Sequence, residues 1–224
     1  MFIIGLGTAV PPQRYTQAEC WDAIRASPQY SALSQRSHAI LRKVLTGKNG
    51  IDTRHLALDP IAEAFEFTPD AMHARFKRVA PQLGTDAARR ALAESGCRVD
   101  EIGALVVATC TGYLCPGLSS YIGEQLGLPR HAQLLDLVGL GCGAAVPTLR
   151  TAASLLGETR HVLAVCVEAC SAAVYLDDDP GVLISACLFG DGAAAVVGSC
   201  AASPRTHGSR TFAARPRSAG KVAL

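Results

Sequence analysis

Several features are scarce or absent in these 224 residues. Asp, Glu, Lys and Arg make up only 18% of the chain, which indicates that part of the surface is covered by a partner subunit or by a further domain. No apolar run approaches the roughly 18 residues of a membrane-spanning helix, and residues 1–10 lack the basic start of a signal peptide. The sequence therefore predicts neither a membrane span nor a secretory leader.

A metal site and a disulfide framework are also not expected. The chain has nine cysteines, an odd number, and no CxxC motif. The pairs Cys110/Cys115 and Cys166/Cys170 lack a second pair or a histidine at zinc-binding spacing. Free thiols in a reducing cytoplasm fit this pattern best. The net charge of +2 argues against a dedicated nucleic-acid binder.

The most informative segment that is present places a cysteine between a strand and a helix. Residues 134–138 have the pattern of a short buried strand, and residues 144–156 that of a helix. Gly139, Gly141 and Gly143 supply the backbone freedom that a tight junction requires. A thiol at Cys142 would lie at a helix N-terminus, where unpaired N–H groups favour the thiolate. The segment predicts a nucleophile for acyl transfer, although a small buried cysteine at a glycine-rich turn is the alternative.

The remainder of the chain alternates between helical and strand patterns. Continuous apolar runs predict strands covered on both faces by helices. The strands are expected at residues 2–6, 104–109, 134–138, 161–167 and within 188–197. The helices are expected from an N-cap at Thr16 and at residues 31–45, 60–80 (exposed), 85–95, 118–126 and 144–156.

The end of the chain differs in composition. Residues 203–224 contain five of the basic residues and no acid, and they have no periodicity. We expect residues 201–224 to form a disordered basic tail, which could also be a frameshifted or truncated end.

Four separate segments carry a family resemblance. They are Thr111-Gly-Tyr-Leu-Cys115-Pro-Gly117, the Cys142 turn, Glu168-Ala-Cys170-Ser171, and the Leu-Phe-Gly-Asp-Gly-Ala-Ala-Ala-Val-Val string at 188–197. Gly-Asp-Gly alone would also fit a hairpin turn. Together the segments resemble the chalcone synthase-like family, the type III polyketide synthases. The segments occur in the same order as in that family, and the resemblance extends from residue 2 to about 199. Within this family, the segments resemble the bacterial alkylresorcinol and alkylpyrone synthases.

The resemblance implies an α/β, thiolase-like fold. Residues 1–200 would be the N-terminal half of the α-β-α-β-α layered architecture, with the C-terminal domain missing and a homodimer as the assembly. The implied chemistry loads an acyl group from coenzyme A on Cys142, condenses it with malonyl-CoA by decarboxylation, and cyclises a small polyketide. The substrates are acyl-CoA and malonyl-CoA, and no further cofactor is expected.

The resemblance also assigns the substrate pocket. Phe189 matches an aromatic gatekeeper, although a core phenylalanine below a strand is the alternative. Thr111, Cys115, Cys170 and Ser185 fall where the cavity-lining residues lie, and small side chains there suit a long acyl starter; simple core packing explains them equally well.

The expected coenzyme A contact is Lys48. It matches a basic residue used on the coenzyme A phosphates. Arg42 and Lys43 lie nearby in the sequence, and for those two a solvated helix end is the alternative. Arg54 and His55 receive no role.

One part of the family's machinery has no counterpart in the sequence. The catalytic histidine and asparagine of the family lie well beyond the gatekeeper, and neither His161 nor His207 matches the histidine. Loading of Cys142 is therefore expected more readily than full turnover. Two alternatives stay open: another condensing enzyme, of the ketoacyl-ACP synthase III or HMG-CoA synthase type, and an inactive truncated remnant.

Overall fold

The computed structural model of the chain describes residues 1–201 and the short strand at 210–211. Apart from this strand, the tail that we expect to be disordered, residues 201–224, lies outside the described residues. The expected disorder therefore stays a prediction.

The elements alternate along the chain as the sequence indicates. The strands are β1 (Phe2–Ala9), β2 (Arg14–Thr16), β3 (Thr53–His55), β4 (Ile102–Thr109), β5 (Gln133–Val138), β6 (His161–Glu168), β7 (Gly192–Ser199) and β8 (Arg210–Thr211). The helices are α1 (Gln17–Ala26), α2 (Pro28–Ala32), α3 (Gln35–Thr46), α4 (Pro69–Ser95), α5 (Leu118–Leu126), α6 (Ala145–Leu155) and α7 (Pro180–Leu188). Short 3-10 turns occur at Ile61–Phe65, Val99–Glu101, Gly141–Gly143 and Cys170–Ala172.

Six strands form one mixed sheet in the order β5-β4-β6-β7-β1-β8. β4 is parallel to both β5 and β6, whereas β7 is antiparallel to β6 and to β1. Parallel neighbours place their carboxyl ends at one edge of the sheet. β5 ends there at Val138, β4 at Thr109 and β6 at Glu168, so the residues that follow these three strands meet.

Apolar side chains cover both faces of the central strands. Leu105 and Val107 of β4 belong to the larger core beneath α4. Ala104 and Val106 alternate with them and pack with Ala152 of α6 on the opposite face. This alternation confirms that β4 is buried on both sides. The expected burial of residues 134–138 is wrong, because β5 is an edge strand on which Leu134 and Val138 are exposed.

A second, smaller core joins the N-terminal helices to α7. Leu41 and Leu45 of α3 pack there with Leu183 and Cys187 of α7. Beside this core the two-stranded sheet of β2 and β3 pairs Tyr15 with Arg54. The unit lies next to the carboxyl edge of the main sheet and supplies much of the wall of the cavity described below.

Most boundaries agree with the sequence, but several details differ, among them the short strands β2 and β3, which were not expected. Thr16 caps α1 in a capping box with Glu19, as expected. Residues 31–45 contain parts of two helices, because Ser34 caps a new one. Residues 69–95 form one helix that includes Pro81, and Phe76 and Val79 are buried, so the expected exposure of this segment is wrong. Helix α7 was not anticipated.

Candidate active site

The turn that carries Cys142 links β5 to α6. Gly139 and Gly141 have φ of 76° and 65°, the left-handed region that glycine adopts without steric cost. The Gly139 N–H donates to the carbonyl oxygen of Thr109 at 3.3 Å, which ties the turn to β4. Gly143 has no positive φ, so the expected need for glycine holds at two of the three positions.

Cys142 lies immediately before the first turn of α6 and is exposed. The first N–H groups of a helix have no intrahelical partner, and the macrodipole makes this end positive. A thioester oxygen or a thiolate placed here would meet those groups. The exposure of Cys142 contradicts the alternative of a buried structural cysteine.

Two further thiols lie near Cys142. Cys110 follows β4 and Cys170 follows β6, so each stands just beyond the carboxyl end of a strand in the parallel set. Burial, followed by the carboxylates of Asp191 and Glu168, raises the pKa of Cys170 to about 12. Burial and a hydrogen bond with Glu168 raise the pKa of Cys110 to about 11. Both thiols therefore stay protonated at neutral pH, which makes them poor nucleophiles.

Glu168 organises the loop after β4. Its carboxylate accepts hydrogen bonds from the Cys110 N–H at 3.0 Å and from the Thr111 N–H at 3.0 Å and hydroxyl at 2.7 Å. The Thr111 hydroxyl oxygen accepts in turn from the Ala169 N–H at 2.9 Å. The loops after β4 and β6 are thus held together. Sequence analysis gave Glu168 no role, although its position at the end of a buried apolar run was a usable signal.

Asp191 holds the neighbouring turns in the same way. This buried carboxylate accepts from the Ser171 N–H at 2.7 Å, the Ser171 hydroxyl at 2.6 Å and the Ala57 N–H at 2.7 Å. Burial raises the pKa of Asp191, and these hydrogen bonds oppose the rise. The network fixes the segment around Cys170 against the turn that follows Phe189.

A cavity of about 480 Å³ opens beside these turns. This volume lies within the range of small-molecule sites. Four of the predicted pocket residues line it: Thr111, Cys170, Ser185 and Phe189. The remainder of the lining is mainly aliphatic and aromatic, from α1, the Ile61–Phe65 turn, the loop at 173–176 and α7.

Three predicted residues stand outside this lining. Cys142 lies on the turn beside the cavity, and Cys115 is exposed in the loop after β4. Lys48 is exposed in the loop after α3. Phe189 is 50% exposed, so it is not the core phenylalanine of the alternative interpretation.

Arg54 is a charged lining residue to which sequence analysis gave no role. Its side chain is buried beside α7, and its Nη1 donates to the carbonyl oxygens of Ala186 at 2.6 Å and Phe189 at 3.0 Å. Both partners are more than 130 residues away in the sequence, so the pattern around Arg54 gave no signal of them.

The described part of the chain contains neither a candidate metal site nor a candidate membrane-spanning helix. Within residues 1–201, no group of three or more His, Cys, Asp or Glu side chains could hold a metal ion. No helix in this range is long and apolar enough to cross a membrane.

Comparisons with known proteins identify the family of the chain. The model of the family described as "Chalcone and stilbene synthases, N-terminal domain" matches residues 1–201. A 3,5-dihydroxyphenylacetyl-CoA synthase of Streptomyces toyocaensis is 34% identical over 200 residues, which are 87% of this chain and 48% of that protein. The alpha-pyrone synthesis polyketide synthase-like Pks18 of Mycobacterium tuberculosis is 35% identical over 87% of this chain and 50% of its own length. The chain spans about half the length of the curated relatives it matches.

Solved structures show the same fold. The C-terminal type III polyketide synthase domain of Steely1 from Dictyostelium superposes with a TM-score of 0.77 at 28% identity, covering 92% of this chain and 57% of that one. PKS-I of the brown alga Ectocarpus siliculosus gives a TM-score of 0.76 at 29% identity, covering 87% and 55%. The expected thiolase-like fold is confirmed.

Proposed function

Because the chain belongs to the chalcone and stilbene synthase family, we propose that its Cys142 thiol accepts an acyl group from a coenzyme A thioester. The thiolate attacks the thioester carbonyl carbon, the new carbon–sulfur bond forms, and coenzyme A leaves as its thiol after taking a proton. We propose that the N–H groups at the start of α6 donate to the developing oxyanion.

The single observation that carries the proposal is the position of Cys142. An exposed thiol stands at a helix N-terminus, beside a cavity lined in part by Thr111, Cys170 and Phe189. Burial raises the pKa of the neighbouring thiols Cys110 and Cys170 to about 11 and about 12, which disfavours both as acceptors.

The lining of the cavity supports an aliphatic acyl chain. Leu58, Ile61 and Phe65 form one side, and Val182 and Ala186 of α7 form the other. Each methylene that moves from water into such a site contributes about 0.8 kcal/mol, which is roughly a fourfold gain in affinity. We therefore propose a medium or long acyl-CoA as the starter.

The second substrate in the proposal is malonyl-CoA, whose decarboxylation is the step that calls for the family's histidine and asparagine, and neither of these has a counterpart in this sequence. Loss of carbon dioxide leaves an enolate whose carbon attacks the Cys142 thioester; a carbon–carbon bond forms and the Cys142 thiolate is released. Repetition gives a poly-β-ketone that cyclises. Lys48 is proposed to contact the coenzyme A phosphates, and Cys115 to border the pocket in the assembled enzyme.

We further propose a homodimer in a reducing compartment, the cytoplasm. β5 is an edge strand on which Leu134 and Val138 are exposed, and Leu140 and Val146 extend this apolar surface. A free hydrophobic edge of this kind favours pairing with a second strand. All nine cysteines are free thiols. Light scattering of the purified protein tests the assembly, and a monomer at every concentration contradicts it.

The test of the proposed function is acyl loading, followed by intact-protein mass spectrometry. The protein is incubated with saturated acyl-CoAs from hexanoyl to palmitoyl, and we expect an added mass equal to one acyl group. The yield should rise with chain length until the cavity is filled. Ala186→Trp should lower loading of the longest chains by about 10- to 200-fold, because it fills the cavity.

A matched control separates this effect from general damage. Ala93 is exposed on α4 and does not line the cavity, so Ala93→Trp should load like the wild type. The absence of an adduct from every acyl-CoA would refute the proposed function.

A further inference from the structure

Helix α7 is a wall of the cavity with two different faces. Gly181, Val182, Ser185 and Ala186 line the cavity, at the spacing that places them along one side of a helix. Leu183 and Cys187, on the other side, are fully buried in the smaller core. A shift of α7 would therefore change the width of the cavity directly.

Phe189 follows the last turn of this wall. The last carbonyl groups of a helix have no intrahelical partner and require donors from elsewhere. At α7 these donors are side chains: Arg54 Nη1 bonds the Ala186 oxygen, and Gln17 Nε2 bonds the Cys187 oxygen at 3.0 Å. A cation at this end of a helix is also favoured by the macrodipole.

Arg54 reaches beyond the helix to Phe189 itself. The same Nη1 that bonds Ala186 bonds the Phe189 carbonyl oxygen. The residues that follow Phe189 are also bound to β3, because the Asp191 N–H donates to the His55 carbonyl oxygen at 2.8 Å. Hydrogen bonds with β3 thus fix the backbone of the segment that carries the Phe189 ring.

The burial of Arg54 is unusual for a residue without a structural ion pair. Only 7% of the residue is exposed, and its Nε is buried without a hydrogen-bond partner. Placing a guanidinium in a largely apolar wall carries a desolvation cost. Arg54 gains the two carbonyl contacts, which both act on the end of α7, and an electrostatic interaction with the Asp191 carboxylate.

We infer that Arg54 is a positioning residue that fixes Phe189 at the mouth of the cavity and thereby sets which acyl chain lengths the cavity accepts. The inference rests on the proposed function, since the acyl chain is the proposed occupant. Arg54 also contacts the Ala186 carbonyl, but we assign its effect on chain length to the Phe189 carbonyl contact, so that effect requires the Phe189 ring.

The experiment measures binding and does not depend on acyl transfer. Isothermal titration gives the dissociation constants of fatty acids from hexanoate to palmitate for the wild type, Arg54→Gln, Phe189→Ala and the double variant. The chain-length preference is the ratio of the dissociation constants of the weakest-bound and the tightest-bound fatty acid. We expect Arg54→Gln to reduce this ratio by about tenfold, as for residues in direct contact. Phe189→Ala should reduce it similarly, and the double variant should lose no more than either single variant.

Two additional variants make the test independent of folding. Arg14 lies on the neighbouring strand β2, is exposed, and bonds Thr53 rather than α7, so Arg14→Gln should keep the wild-type preference. Arg54→Lys keeps the positive charge and should lose part of the preference; it replaces Arg54→Gln if circular dichroism shows that the latter is unfolded.

Failures of the inference and of the proposed function are distinguishable. An unchanged chain-length preference in Arg54→Gln or Arg54→Lys, or losses that add in the double variant, would overturn the inference. Normal fatty-acid binding without acyl loading of the wild type would overturn the proposed function alone. A wild type that binds no fatty acid would overturn the inference together with the proposed acyl occupant.

Discussion

Cys142→Ala is expected to carry no acyl group after incubation with any acyl-CoA. Covalent loading requires a nucleophile at this position, and removal of the nucleophile from a covalent enzyme costs on the order of 10⁶ in kcat. The side chain is exposed at the turn, so the variant should fold normally. Intact-protein mass spectrometry measures the result.

The control for this variant is Cys200→Ala. Cys200 is also exposed but directly follows β7, a strand antiparallel to β6. Its replacement should leave the adduct unchanged. An adduct that persists in Cys142→Ala would mean that another thiol is the acceptor, and the assignment of the turn as the acyl-binding site would fail.

Arg75→Met is expected to lower the free energy of unfolding by about 3–5 kcal/mol, the usual penalty for breaking a buried charged network. The Arg75 guanidinium is almost fully buried and donates to the carbonyl oxygens of Ser171 at 2.6 Å, Glu63 at 2.6 Å and Glu66 at 3.1 Å. Burial lowers the pKa of Arg75, yet an arginine stays protonated at neutral pH. Methionine would leave three carbonyl groups without this donor.

Arg78→Met is the matched control. Arg78 pairs with the Glu63 carboxylate at 2.6 Å, but 56% of its side chain is exposed. Exposed ion pairs contribute about 0–1 kcal/mol. Urea unfolding followed by circular dichroism compares the two variants. Equal losses would contradict the view that Arg75 secures the segment that carries Cys170.

The nucleophile turn was predictable because its determinants are local. Glycines at 139 and 141 are required by their positive φ, and an apolar run before Cys142 and a helical pattern after it define the junction. The covered strands were predictable for the same reason, since both faces of β4 are apolar along consecutive residues.

Helix α7 was missed because its sequence is apolar on all sides. Residues 180–188 have no amphipathic pattern, since one side faces a core and the other a cavity. The signal that was present is Asp179-Pro180: Asp179 accepts from the Gly181 and Val182 N–H groups, and proline is favoured in the first turn. The long helix α4 was divided in the prediction at Pro81, where tertiary packing overrides the local preference.

The positioning residues could not be found from the sequence. Arg54 bonds residues 132 and 135 positions away, and Arg75 bonds one 96 positions away. Their partners are backbone carbonyls, which leave no mark in the amino-acid pattern. Only the fold brings the polar side chains of β3 and α4 to the turns around the cavity.

The most direct test of the account is a crystal structure of the protein after incubation with myristoyl-CoA. We predict continuous density from the Cys142 Sγ, past Thr111 and Phe189, with the alkyl chain along the Val182 and Ala186 face of α7. An acyl chain attached to another residue, or a Cys142 adduct whose chain leaves the cavity empty, would contradict it.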